Sequence, residues 1–232
     1  MSALEVYRKT KKTPDLFWNT FVCRPIAAVL VDGVKGTGIT PNQITLSSYV
    51  VAMAAAALVV FLPGYVGLVV AIVVYQASYV LDCADGMLAR WRGIQSTPGH
   101  LLDFLMDELK AFAILAAVAV RLYRDANDAL FLLIGLGGLV CLASGIAMTT
   151  FERRPEIAAP KAPASGPPPT PSLIKRAVGL PFLVAKFLIH YPSYILVAAL
   201  LGRIELYFYP YVLVNAVYML RSLGVVTLKF GR

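Results

Sequence analysis

Asp82-Cys83-Ala84-Asp85-Gly86-Met87-Leu88-Ala89-Arg90, an eight-residue spacer, and Gly99-His100-Leu101-Leu102-Asp103-Phe104-Leu105-Met106-Asp107 decide how this chain folds. Four carboxylates stand at helical spacings on two segments that otherwise read as membrane spans. Asp82 and Asp85 are three apart and Asp103 and Asp107 four apart, so each pair projects from one face of its helix. An aspartate at the centre of a membrane helix costs roughly 2.5–3.5 kcal/mol, so four without compensation would cost on the order of 10 kcal/mol. The cost falls toward the headgroups, but compensation is still needed. The natural partner of clustered carboxylates is a hard divalent cation, and Mg²⁺ is commonly shared between carboxylates and substrate phosphates.

The surrounding composition sets the class. The chain has 232 residues, 59% of them hydrophobic, and a mean hydropathy of +0.72. A soluble fold has no place for so much Val, Leu and Ala, so the chain reads as an all-α integral membrane protein of one domain, residues 1–232. At about 20 apolar residues per crossing, six spans are predicted near 43–62, 65–90, 98–121, 128–151, 181–202 and 205–228. Residues 1–39 form an N-terminal segment ahead of the bundle at 40–232. Within that segment Asp15 to Leu30 carries Phe17, Trp18, Phe21, Val22, Ile26 and Val29 beside Arg24, the pattern of an amphipathic interfacial helix with Pro25 as a point of kinking. The opening MSALEVYRKTKKTPD is charged and has no apolar core, so no cleaved signal peptide is expected. Cys23, Cys83 and Cys141 lack zinc-site or disulfide spacing, and Cys83 is expected to serve packing.

Local punctuation supports these elements. Thr40-Pro41-Asn42-Gln43 is a capping box with proline in the first turn, and Ile39 with Ile44 fits a hydrophobic staple. Thr97-Pro98-Gly99 is expected to open the third span in the same way, Asn127-Asp128 to cap the fourth, and Pro63-Gly64 to turn the chain between the first two. A Pro- and Ala-rich stretch at about 155–171 reads as an extended linker. It leads into an amphipathic segment from Ser172 to Lys186.

The net charge of +8 is spread over the ends of apolar runs rather than over a soluble face. That favours anionic lipid and phosphate-bearing substrates as partners over nucleic acid. With the N-terminus in the cytoplasm, the opposite side holds only Arg121, Arg124 and Arg203 of the 21 basic residues. The positive-inside rule therefore puts both termini and all four motif aspartates on the cytoplasmic side, in a cell inner membrane. The short spacer makes a tight hairpin that lets the two aspartate pairs face each other. Four carboxylates match two divalent ions, the usual pair for gripping attacking and leaving oxygens in a phosphoryl displacement. Gly86 and Ala89 leave room beside the carboxylates, either for close helix packing or for a nucleotide, and next to four aspartates the nucleotide is favoured. Gly99 falls in a first helical turn, where free N–H groups and the helix dipole favour phosphate.

The pattern Asp82-x-x-Asp85-Gly86-x-x-Ala89-Arg90, eight residues, Gly99-x-x-x-Asp103-x-x-x-Asp107 resembles, at every specified position, the signature of the CDP-alcohol phosphotransferase (CDP-alcohol phosphatidyltransferase) family. The resemblance implies a six-helix bundle, usually a homodimer. It implies a CDP-linked alcohol as donor, a second alcohol as acceptor, CMP as the leaving product, and Mg²⁺ or Mn²⁺ as cofactor. Asp82, Asp85 and Asp103 then correspond to metal ligands, and Asp107 to the base that deprotonates the acceptor hydroxyl, within reach of the second ion. Gly86, Arg90 and Gly99 match nucleotide-side positions, Pro41-Asn42-Gln43-Ile44-Thr45 matches a segment that contributes Asn42 and Thr45 to the nucleotide site, and Ser96 lies near the donor. CDP-diacylglycerol is the favoured donor, which makes the chain a phospholipid synthase. The alternatives are a donor that carries a CDP-activated polar head group and, in a different class, an inactive membrane protein or small transporter.

The acceptor is less legible. A phosphorylated acceptor needs cations near the aspartates, and Arg153, Arg154, Lys186 and Arg221 are the candidates. The first three also read as a basic girdle, whereas Arg221 falls within an apolar span and is expected to be buried. Lys110, three positions after Asp107, either pairs with that carboxylate or snorkels to the headgroups, with snorkelling favoured. His100 and His190 are expected to be interfacial, without a part in catalysis.

Overall fold

A computed structural model of the protein describes residues 2–12, 15–154, 156–157 and 192–230, and the described chain is helical without strands. The helices are α1 (Ala3–Thr10), α2 (Arg24–Val34), α3 (Pro41–Phe61), α4 (Gly64–Arg92), α5 (Thr97–Ala126), α6 (Leu130–Glu152), α7 (Pro192–Leu200) and α8 (Glu205–Phe230), with a single wider turn at Asn19–Cys23 running into α2. Four of them, α3, α4, α6 and α8, are long and apolar enough to cross a membrane. The expected span at 98–121 forms most of α5, but Asp103, Asp107, Glu108, Lys110 and Arg121 keep it from reading as one by composition. The expected span at 181–202 lies outside the described residues except for α7 and the turn after it. So do Lys186, His190, the segment from Ser172 to Lys186, and all of the 155–171 linker but 156 and 157.

Residue types explain where helices begin and end. The Thr40 hydroxyl accepts from the Gln43 N–H at 3.3 Å while the Gln43 side chain accepts from the Thr40 N–H at 2.9 Å, so the capping box forms as expected. α5 is capped by Ser96 rather than Thr97, its hydroxyl accepting the Gly99 N–H at 3.1 Å. Ala129, not Asn127 or Asp128, precedes α6, although Asp128 Oδ1 does accept the Leu130 N–H at 2.9 Å; Asn127 instead ends α5 in the left-handed region at φ 52°. Gly93, at φ 67°, ends α4 and turns the chain toward α5. A helix of 29 residues such as α4 is about 43 Å long at 1.5 Å per residue. A hydrocarbon core is about 30 Å thick, so α4 is longer than a crossing needs.

Small residues bring α3, α4 and α5 together. Ala52, Ala55, Ala56, Ala71, Ala111 and Ala117 are buried in the core they share, and Val59, Ile72, Ile114, Leu115 and Val118 fill the remaining space. On α6, a Cβ at Gly135 would stand 2.4 Å from that of Ala119, and one at Gly145 would stand 2.8 Å from the Tyr218 ring, so these glycines set the approach of α5 and α8.

The N-terminal segment differs from the expected surface helix. Asp15 pairs with Arg24, Asn19 donates to Asp15 at 3.2 Å, Tyr79 donates to Asn19 at 2.9 Å, and the Trp18 indole donates to Gln76 at 3.3 Å. These bonds dock the segment on α4. Cys23, Ala27, Ala28 and Val31 turn inward with Cys83, while Phe17, Phe21, Ile26 and Val29 stay exposed. Pro25 directly follows the wider turn, which takes up the change of geometry where proline supplies no N–H to a helix that runs on through it.

At the far end Arg121 is 4% exposed, and its guanidinium donates to Asp125 at 2.5 Å and to the carbonyls of Leu62 at 2.6 Å and Gly64 at 2.8 Å. It thereby satisfies the Leu62 carbonyl that the end of α3 leaves without a helical partner, and ties it to the Gly64 carbonyl at the start of α4. Arg121→Met is expected to cost about 2–4 kcal/mol of stability, with Arg121→Lys recovering part of it. Denaturant unfolding in detergent measures both, and an unchanged midpoint for Arg121→Met would show the contact to be idle.

Candidate functional site

The site is built where the end of α4, the start of α5 and the start of α3 meet. Arg92 holds the loop before α3 against α4, its guanidinium donating to the carbonyls of Ile39 at 2.6 Å, Thr37 at 2.8 Å, Val34 at 3.1 Å and Lys35 at 3.2 Å. That contact brings Thr40 to Thr45 beside the motif. Thr45 then donates to one oxygen of Asp85, and the Gly86 N–H to the other. Asp85 is 4% exposed, so these two bonds fix its carboxylate deep in the helix contact.

Asp82, Asp85 and Asp103 each present one oxygen within 4.8 Å of the others. Asp103 Oδ1 is buried and accepts no hydrogen bond. Several hard oxygen donors, one of them an orphan, suit a small divalent cation that takes oxygen ligands. Asp107 stands outside this trio, about half exposed, with one oxygen 2.8 Å from Lys110.

Lys110 does not snorkel. It is 3% exposed, and its ammonium donates to Asp82, to Asp107 and, at 3.3 Å, to Ser48. Snorkelling fails because carboxylates from two helices lie within reach of the ammonium, and an ammonium buried here is stable only with partners of this kind.

Two cavities flank the carboxylates. The larger, about 570 Å³, is lined by Asn42, Thr45, Gly86, Ala89, Arg90, Ser96 and Gly99, together with Asp85 and Asp103. Seven positions read from the sequence as nucleotide-side thus line one space. Gly99 serves it by proximity: a Cβ there would stand 3.0 Å from the Ser96 hydroxyl and 3.4 Å from Asn42. Its N–H is taken by Ser96, so it is not the free phosphate donor that was expected. Gly86 leaves space for the Arg90 guanidinium, which a Cβ would approach to 3.2 Å. Arg90 in turn donates to the Thr10 carbonyl at 3.0 Å, and Lys12 and His100 also line this cavity. His100 is an exposed member of this lining. Nothing in the local sequence around residues 10–12 signals that contribution, because it depends on α1 docking over α4.

The smaller cavity, about 310 Å³, is lined by Asp82 and Asp107 and walled by Tyr79, Phe104, Glu108, Thr149, Arg153, Tyr211, Asn215 and Tyr218. Tyr218 and Thr149 share a hydrogen bond of 2.6 Å across α6 and α8. No motif marks these α6 and α8 residues, since helix packing alone brings them to the carboxylates. Arg153 reaches this cavity over the Phe104 ring. Arg154 and Arg221 line neither cavity, and Arg221 is exposed on α8 rather than buried, because it falls on the outer face of the helix. Lys186 lies outside the described residues.

Comparison with known proteins agrees with this geometry. A bifunctional IPC transferase and DIPP synthase from Archaeoglobus fulgidus is 31% identical over 117 residues, which is 50% of this chain and 22% of that protein. The chain thus matches only about a fifth of the length of that relative. The family model for CDP-alcohol phosphatidyltransferase matches residues 38–204, a range that spans both aspartate pairs and most of the cavity walls. The chain belongs to the CDP-alcohol phosphatidyltransferase family.

Proposed function

We propose that the protein transfers a phospho-alcohol group from a CDP-alcohol to an acceptor alcohol and releases CMP, with CDP-diacylglycerol as the donor and a phospholipid as the product. One observation carries this reading: two cavities meet at a single carboxylate cluster, with Asp85 and Asp103 on the larger and Asp82 and Asp107 on the smaller. A two-substrate transfer needs that division. The nucleotide occupies the larger cavity, between Asn42, Thr45, Gly86, Ala89, Arg90, Ser96 and Gly99. The acceptor occupies the smaller one, with Arg153 the cation nearest to any acceptor phosphate.

Asp82, Asp85 and Asp103 would hold Mg²⁺ or Mn²⁺, and Asp107 would be a further ligand to a second ion. Bound there, the ions would neutralise the diphosphate and the charge that develops on the oxygens during transfer. The protein's own residues do the rest. The acceptor hydroxyl, held in the smaller cavity, gives its proton to Asp107 as its oxygen bonds to the phosphorus that carries the donor alcohol. The bond from that phosphorus to the CMP oxygen breaks, and CMP leaves with the electron pair. In the membrane, six crossings follow from the lengths of the apolar runs, and cytoplasmic termini from the distribution of Lys and Arg. This topology puts the larger cavity on the side where nucleotides are available. A homodimer is the arrangement that the family resemblance implies, and a cell inner membrane is its expected location.

Purified protein given Mg²⁺ or Mn²⁺, CDP-diacylglycerol and a panel of acceptor alcohols is expected to release CMP, and to release none without metal. CDP-diacylglycerol is also expected to raise thermal stability in detergent only when metal is present, by linkage of ligand to the folded state. A larger shift with CDP-choline or CDP-ethanolamine would move the lipid from donor to acceptor. No CMP from any pair would favour an inactive or transporting membrane protein.

The carboxylates are expected to separate by role. Asp107→Asn should lower turnover by about 10²–10⁴-fold and stay low as metal is raised, because added metal cannot supply a proton acceptor. Asp82→Asn should lose activity through weaker metal binding and recover part of it at high Mg²⁺ or with Mn²⁺. Turnover measured against metal concentration separates the two, and rescue of Asp107→Asn alone would reverse the assignment.

A further inference from the structure

Lys110 is a buried charge for which the transfer chemistry has no stated use. An ammonium at 3% exposure inside a helix bundle is costly, and its cost is met only by well-placed partners. Lysine offers three N–H donors, and here they meet Asp82 of α4, Asp107 of its own helix at 2.8 Å and Ser48 of α3 at 3.3 Å. The ammonium is therefore fixed from three helices rather than free to follow one carboxylate.

Its two anionic partners are the two motif aspartates that line the smaller cavity. The two that line the larger cavity are not bonded to it: Asp85 is held by Thr45 and the Gly86 N–H, and Asp103 keeps an unpartnered oxygen. The lysine thus separates the four carboxylates into two sets that the spacing of the motif does not distinguish.

We infer that Lys110 is a positioning residue that ties Asp82 to Asp107. It holds one oxygen of each carboxylate and leaves the other oxygen of each for the cation and for the acceptor proton. This inference rests on the transfer reading given above. By this contact the distance between the metal-side carboxylate and the base is set by the protein before either substrate arrives. Ser48 supplies the third point that keeps the ammonium from swinging toward one partner. Spacing of this kind matters because misplacing reacting groups by about 1 Å can cost on the order of 10²-fold in rate.

The test compares wild-type protein, Lys110→Ala and Lys110→Arg in detergent. It follows CMP release at varied donor and acceptor, and the Mn²⁺-dependent shift in thermal stability. Lys110→Ala is expected to lower kcat at least 30-fold and to leave the donor KM within twofold. Propylammonium, which replaces the missing part of the side chain, should restore turnover at least fivefold and saturably, without effect on the wild type. Wild-type kcat in Lys110→Ala, or a loss that propylammonium does not relieve, would overturn the assignment. Should Lys110→Ala fail to fold, Lys110→Arg decides. The inference requires that it keep the Mn²⁺-dependent shift yet turn over at least tenfold more slowly, because the rigid guanidinium fork cannot match the ammonium's three directions. Wild-type turnover in Lys110→Arg would reduce Lys110 to an ion pair that only supports packing. Absence of CMP release from the wild type would instead overturn the transfer reading itself.

Discussion

The repulsion among Asp82, Asp85, Asp103 and Asp107 is the constraint around which the rest of the molecule is arranged. These carboxylates converge between two long helices in a chain that is otherwise strongly apolar, and each needs a counter-charge or a donor. The fold supplies these from several directions. α3 brings the Thr45 hydroxyl and Ser48, α5 brings Lys110, and the backbone of α4 brings the Gly86 N–H. What the protein leaves unmatched is the buried oxygen of Asp103, the place where a bound cation would complete the set.

The same constraint explains why the site lies at the hairpin between α4 and α5 rather than midway along the bundle. Both helices are longer than a hydrocarbon core is thick, so joined ends that reached past such a core would stand where charges are less costly. Alanine and glycine along α3 to α6 let the helices approach closely, and that closeness puts Ser48 and Lys110 within reach of carboxylates on other helices. Packing in the apolar half of the bundle and charge compensation in the polar half are therefore one problem.

Much of this could be read from the chain. The spacings of the four aspartates give the helix faces, the capping box at Thr40 gives the start of α3, and the small residues at Gly86, Ala89 and Gly99 give the wall of the larger cavity. Other features could not be read, because they depend on contacts remote in sequence. Lys110 looks like any snorkelling lysine until Asp82 is seen across the helix contact. Arg221 looks buried until α8 is seen to turn it outward. Tyr211, Asn215 and Tyr218 carry no local sign of a site, and only the glycine-lined approach of α6 brings their helix to the carboxylates. The contribution of Lys12 and the Thr10 carbonyl likewise waits on α1 docking over α4.

The central claim is that the motif carboxylates form a cation site between two substrate cavities. Anomalous diffraction from crystals of the protein grown with Mn²⁺ and CMP tests it most directly. A manganese peak bounded by Asp82, Asp85 and Asp103 is expected, with CMP in the cavity of Asn42, Gly86 and Gly99 and none in the cavity of Asp107 and Tyr218. Manganese bound away from these aspartates, or CMP in the smaller cavity, would contradict it.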